Sequence, residues 1–79
     1  MDEVVVKKYA MLIVSIANGK ALEPEDRNFC LDIVSKVKTK KSNDKVTAIG
    51  KISSIMKRCG IESQEQDHQK IYDHMITLV

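Results

Sequence analysis

The segment from residue 4 to residue 19, VVVKKYAMLIVSIANG, decides the fold of this chain. Its apolar residues recur at intervals of three and four, the spacing that places side chains on one face of an α-helix. From Tyr9 onward the segment is apolar nearly all round, and Asn18-Gly19 then supplies the left-handed residue that typically ends a helix. The pattern predicts a helix over about residues 2–18 that is central in its domain or shares a second face with another chain.

Helical spacing continues on both sides of a predicted turn further along the chain. The stretch from Leu22 to Asp26 is typical of a helix start, because proline is tolerated in the first turn and acids there complement the helix dipole. Lysines crowd the end of this second helix. The segment Ser42-Asn43-Asp44 then offers caps for a third helix over about residues 44–59.

The end of the third helix and the start of the fourth carry their own signals. Gly60 followed by Ile61 predicts a Schellman-type stop, in which a left-handed glycine is followed by an apolar contact. Ser63 and Gln66 are three residues apart and match a capping box for a fourth helix that ends at Leu78 or Val79.

Length and composition limit the architecture to something small. The chain has 79 residues, of which 43% are hydrophobic and 30% charged, with three Gly and one Pro. This composition is typical of a globular protein, and the length leaves room for one small domain. We therefore predict an all-α fold, a single domain over residues 1–79 built as a bundle-like arrangement of four short helices with the first helix central.

The charges are strongly segregated along the chain. The formal net charge is only +2, but residues 35–58 contain seven Lys and one Arg against Asp44 alone. We predict that this basic block contributes a partner-binding patch, made of Lys36, Lys38, Lys40, Lys41, Lys45, Lys51 and Arg58. The block has three interpretations: it steers an acidic protein, it contacts phosphates of a nucleic acid, or it is a solvated corner whose charges pair with the second and fourth helices.

The nucleic-acid interpretation depends on the third helix. Positions 47, 51, 54 and 58 form one polar stripe opposite the isoleucine stripe, as expected for the recognition helix of a helix–turn–helix protein. The predicted turn over residues 39–43 is longer than usual and lacks glycine, and the block holds a single Arg, the usual base reader.

Apolar surface supports the protein-binding interpretation. The first helix has more hydrophobic circumference than three short helices cover, and the fourth ends in an apolar turn. We predict an apolar partner-binding surface made of Met11, Val14, Met75 and Leu78. A protein partner is the first prediction, and a homodimer and a nucleic acid are alternatives.

No pattern in the sequence indicates catalysis, a cofactor or a metal site. Cys30 and Cys59 occupy positions typical of buried free thiols rather than of a disulfide, and acids near Cys30 disfavour its thiolate. Neither cysteine pairs with His68 or His74 at a zinc-ligand spacing; His68 is expected to border the core and His74 to be solvated. The sequence thus predicts a chain that is not an enzyme, has no cofactor and binds no metal.

The expected biology follows from these predictions. The acidic N-terminal residues do not resemble an export signal, and the apolar run of residues 9–17 is too short to span a membrane. We therefore expect a cytoplasmic protein with no membrane partner. Because lysines greatly outnumber arginines and isoleucines are frequent, the composition suggests an AT-rich coding sequence. The leading hypothesis is a small regulator that binds another protein, such as a viral or mobile-element factor acting on a host protein.

Overall fold

A computed structural model describes residues 1–20 and 23–79 of the chain. These residues form four α-helices and no strand, so the prediction of a small all-α fold is confirmed. Leu22, the first residue of the predicted start of the second helix, lies outside the described residues. The helices are α1 (Glu3–Ser15), α2 (Pro24–Thr39), α3 (Ser42–Arg58) and α4 (Glu65–Leu78), and a kinked turn over Ile16–Lys20 follows α1.

The first helix begins and ends as its sequence predicts. The Asp2 side chain accepts a hydrogen bond of 3.0 Å from the Val5 N–H and so caps the N-terminus. At the other end Asn18 leaves the helical region, and Gly19 has a φ of 96°, where a side chain would be strained.

The stop of α3 is the predicted Schellman motif. Gly60 has a φ of 72°, its N–H donates to the Lys57 carbonyl, and the Ile61 N–H donates to the Met56 carbonyl. These two bonds satisfy carbonyls that the end of the helix leaves without partners.

Two predicted caps are wrong by one or more residues. The helix α3 begins at Ser42, so the residues expected to cap it lie inside its first turn, and the N-cap is Lys41, which makes no side-chain capping bond. The fourth helix is capped one residue later than predicted, because Gln64 rather than Ser63 is the N-cap and the Asp67 side chain accepts its N–H.

The four helices form two pairs. Helices α2 and α3 are antiparallel neighbours, since Asp26, Asp32 and Thr39 on α2 contact, in that order, Arg58, Lys51 and Asp44 on α3. Helices α1 and α4 run in the same direction, because the amino group of Met1 contacts Asp67 at the start of α4 and the later residue Val6 shares a cleft with Thr77.

All four helices contribute aliphatic or sulfur-containing side chains to one core. The largest fully buried side chains are Ile13, Ile33, Ile52, Ile55, Met56, Ile71, Met75, Val37 and Cys30. The core therefore depends on shape-adapted aliphatic packing, with little aromatic contribution.

The contacts between helices do not single out the first helix as the central one. Helices α2 and α4 each approach all three other helices, whereas α1 with its terminal turn lies against α4 and α2 and makes no close backbone approach to α3. The apolar circumference of α1 thus leaves one side in solvent, where Val4 and Met11 are exposed.

Two glycines provide a paired test of this backbone. Gly50 lies within α3, is exposed and has open space where a Cβ would be, so Gly50→Ala should raise the free energy of unfolding by about 1 kcal/mol through helix propensity. Gly60→Ala should lower it by about 1–2 kcal/mol, because an L side chain is strained at positive φ. Urea denaturation of both variants measures the difference, and equal effects would contradict the assigned helix end.

Candidate binding surface

The central residues of the basic block are tied to the neighbouring helix. The Lys51 ammonium lies 2.7 Å from Asp32 Oδ2 and 4.8 Å from the centre of the Phe29 ring, and Lys36 lies 3.1 Å from Asp32 Oδ1. Hydrogen bonds from Lys51 and then from Lys36 hold the pKa of Asp32 below its usual value. Two of the six lysines of the predicted patch thus share one carboxylate of this same chain.

Arg58 is also engaged within the protein. Its Nε lies 2.9 Å from Asp26 Oδ1, and its Nη2 lies 3.6 Å from Glu25 Oε2. The acids that begin α2 therefore face the base that ends α3, an arrangement favoured by both helix dipoles.

These ion pairs show that the polar stripe predicted on α3 faces α2 at two of its four positions. Lys51 and Arg58 point to α2, while the Thr47 and Ser54 hydroxyls donate to carbonyls of their own helix. The stripe over positions 47, 51, 54 and 58 therefore follows the seam between α2 and α3. One interpretation of the basic block was that its charges pair with the second helix. Lys51 and Arg58 do so.

The remaining lysines lie at the turn between α2 and α3. Lys38, Lys40 and Lys41 are all exposed, and none has a carboxylate within 4 Å among residues 1–20 and 23–79. We call these three residues the lysine turn. The connection contains only Lys40 and Lys41, so it is shorter than the turn predicted from the sequence.

Side-chain hydrogen bonds fix the shape of the lysine turn. The Thr39 hydroxyl lies 2.8 Å from Asp44 Oδ2 and 2.9 Å from the Lys36 carbonyl, and it accepts from the Lys41 N–H at 3.3 Å. Asp44 is thereby held beside α2. The turn presents its lysines from a constrained backbone.

Lys40 occupies an unusual backbone conformation. Its φ is 57°, the single positive φ of a non-glycine residue in the part of the chain that is described. An L residue in this left-handed region costs about 1 kcal/mol relative to glycine, which is the residue ordinarily found at such a helix end. A charged side chain therefore stands where the fold alone would favour glycine.

Lys45 lies apart from this cluster. Its ammonium is 5.5 Å from the centre of the Tyr72 ring on α4, and its side chain is half-buried. The structure thus divides the predicted basic patch into three groups: residues paired with acids of α2, Lys45 over Tyr72, and the lysine turn, which has no acidic partner among the described residues.

The predicted apolar surface is divided as well. Met75 is fully buried and Val14 packs partly against the core, so Met75 does not belong to any surface. Met11 and Leu78 are exposed, with relative solvent accessibilities of 57% and 40%. The helical period groups Met75 with Leu78 on one face of α4. In the structure, however, Met75 lies in the core and Leu78 is exposed to solvent.

Several exposed residues were missed as candidates. Val4 on α1 and Val46 on α3 are 76% and 73% exposed, and Lys7, Lys8 and Leu12 are exposed near Val4 on the same helix. The helical period does carry the signal for Val4, which is seven residues before Met11 and therefore falls on the same face.

The two cysteines have different environments. Cys30 is buried, and this burial, followed by the charges of Asp26 and Cys59, raises the pKa of its thiol to about 11. Cys59 is exposed, so the prediction that both thiols are buried is wrong for Cys59. Both are free thiols, as predicted.

The start of α4 contains a buried polar network. Asp67 Oδ1 lies 3.3 Å from the Met1 amino group, and Oδ2 accepts the Gln64 N–H at 2.8 Å. That hydrogen bond, and after it the Met1 ammonium, hold the pKa of Asp67 below its usual value. His68 is buried as expected, 2.7 Å from the Ser63 hydroxyl, while His74 is only half-exposed and lines the cleft between α1 and α4.

The described residues contain neither a cluster of metal ligands nor a helix suited to a membrane. No group of three or more His, Cys, Asp or Glu side chains among them is arranged to hold a metal ion. Over the same ranges, no helix combines the length and apolar character needed to cross a membrane.

Comparison with known proteins adds no relative to this description. No family model matches the chain, and neither the curated proteins nor the solved structures include a significant match.

Proposed function

We propose that this protein acts by binding an acidic region of another protein, with the lysine turn as its electrostatic contact. The observation that carries the proposal is the contrast within the basic block. Lys36, Lys51 and Arg58 pair with acids of α2, whereas the three exposed lysines of the lysine turn have no acidic partner within 4 Å among the described residues. Concentrated charge of one sign accelerates encounter with an oppositely charged partner and helps to fix its orientation.

The backbone of the turn supports this proposal. Lys40 is strained where glycine would be relaxed, and non-glycine residues at positive φ cluster at functional positions. The hydrogen bonds of Thr39 hold the turn in one shape, so less conformational entropy is lost when a partner binds. Regulation of a host factor by a viral or mobile-element protein is one setting that this activity would suit.

The test compares two variants that each remove three positive charges. Quantitative affinity capture from native-host lysate should recover a partner with the wild-type chain and lose it at least about tenfold with K38Q/K40Q/K41Q, the loss expected for about 1.4 kcal/mol. The control R27Q/K57Q/K70Q, which changes exposed residues on three helices, should retain the partner. Equal loss in both variants would show that net charge, and not the lysine turn, is responsible.

A further variant separates binding from stability. Lys40→Gly relieves the backbone strain, so it should raise the free energy of unfolding by about 1 kcal/mol while weakening capture. A more stable variant that loses its partner cannot be explained by unfolding. Undiminished capture by Lys40→Gly would remove Lys40 from the proposed contact.

Contact with a nucleic-acid backbone is the second candidate function, and one observation favours it. The N-terminus of α3 has no side-chain cap, so its first N–H groups lie beside Lys40 and Lys41 without a capping side chain. Helix N-termini and lysines are both suited to phosphate. Three phosphate contacts predict that the logarithm of duplex affinity falls with that of salt concentration with a slope of about −3. Absence of duplex binding at low salt would exclude this candidate.

A further inference from the structure

The outer face of α1 carries three of the seven large hydrophobic residues that are exposed in the described part of the chain. It consists of Val4, Lys7, Lys8, Met11 and Leu12, all of them exposed, and we call it the α1 face. The buried side of the same helix is Val6, Ala10 and Ile13, which pack into the core. Val4 and Met11 are 76% and 57% exposed and lie two helical turns apart, about 10 Å along the axis.

The charges of the α1 face decide between occupants. In a symmetric pair of this chain, the face would meet its own copy, and the two lysines between the apolar residues would approach the same two lysines. A partner carrying carboxylates would instead pair with them. No carboxylate lies within 4 Å of Lys7 or Lys8 in the ranges that the structure covers, although the Lys8 ammonium lies 5.9 Å from the centre of the Tyr9 ring. Neither ammonium group is therefore paired with an acid there.

From this complementarity we infer that the α1 face docks an acidic amphipathic helix of a partner protein. Apolar side chains of that helix, spaced over two turns, would cover Val4, Met11 and Leu12, and its flanking Asp or Glu residues would pair with Lys7 and Lys8. The inference rests on the proposed function in naming an acidic protein as the partner. It adds the secondary structure of the partner and a contact surface distinct from the lysine turn.

The test uses a displayed library of acidic amphipathic helical peptides as the probe. Selection on the wild-type chain should enrich peptides with apolar residues at i, i+3 or i+4, and i+7 flanked by acids. Binding should fall at least about tenfold in V4E/M11E, since the substitutions place carboxylates opposite those of the peptide. The new acids can pair with Lys8 and Lys7 four residues away, which favours a folded helix.

Val46→Glu is the matched control, because Val46 is as exposed as Val4 but belongs to α3. It should bind the selected peptides like the wild type, and circular dichroism should show both variants folded. The inference would be overturned by failure to enrich acidic helices, or by equal binding to V4E/M11E and wild type. It would also be overturned by a wild-type dimer that V4E/M11E dissociates in sedimentation, or by phosphatidylserine vesicles binding through the α1 face in place of peptides.

Failure of this inference can be distinguished from failure of the proposed function. The peptide selection does not require the native partner, and K38Q/K40Q/K41Q leaves the α1 face intact. Undiminished capture by K38Q/K40Q/K41Q would therefore refute the proposed function, while the peptide result would still decide the α1 face.

Discussion

Met75→Ala is expected to lower the free energy of unfolding by about 2–5 kcal/mol, because Met75 is fully buried and its truncation leaves a cavity in the core. A domain of this size has a total stability of about 5–15 kcal/mol, and small domains lie toward the low end. The variant should therefore be partly unfolded at 37 °C. Urea denaturation followed by circular dichroism at 222 nm measures the change.

Leu78→Ala is the matched control for this experiment. Leu78 lies three residues later on the same helix but is 40% exposed, so its truncation should cost less than about 1 kcal/mol. Met75 and Leu78 were assigned to one partner-binding surface from the sequence, and the two variants test the separation that the structure makes between them. A change of less than about 1 kcal/mol in Met75→Ala would contradict the burial of Met75.

Alkylation of the two cysteines should differ in rate by at least about a hundredfold, because the thiolate is the reactive species and Cys30 is both buried and poorly ionised. With its pKa raised to about 11, Cys30 is a thiolate in about one molecule in a thousand at pH 8. Iodoacetamide on the native chain should thus add one group quickly, at Cys59, and the second only slowly. Peptide mass spectrometry over time identifies the modified residue.

Two controls define this result. In denaturing urea both cysteines should react at similar rates, and a Cys59→Ser chain should be protected when folded. The slow alkylation rate of Cys30 should rise about tenfold with each unit of increasing pH until the pH approaches 11, because the thiolate population rises in the same way. Rapid labelling of Cys30 in the folded chain would contradict its burial and would reopen the hypothesis of a reactive thiol.

Helical period was sufficient to predict the elements of this fold. The left-handed stops at Gly19 and Gly60 were predictable because few residues tolerate positive φ. Capping was less predictable. Ser63 and Gln66 fit the pattern of a capping box, but Ser63 instead contacts the buried His68, and Gln64 with Asp67 caps α4. A choice between two adjacent capping pairs depends on tertiary contacts that local sequence does not contain.

The candidate site was only partly predictable for a similar reason. The basic block was evident from charge along the chain, yet which of its residues remain exposed depends on the antiparallel register of α2 and α3. That register brings Asp32 to Lys51 and Asp26 to Arg58, and leaves Lys38, Lys40 and Lys41 in solvent. Likewise, the period of α4 groups Met75 with Leu78 but does not show where the neighbouring helix ends.

The two helix pairs imply an order of folding. Contacts between α2 and α3 join residues close in sequence, from Thr39 with Asp44 out to Asp26 with Arg58, so they close short loops first. The contact of Met1 with Asp67 joins distant parts of the chain and requires both intervening helices. We therefore expect the α2–α3 hairpin, with its lysine turn at the tip, to form early. The docking of α1 on α4 would then be the late step on which cooperative unfolding depends.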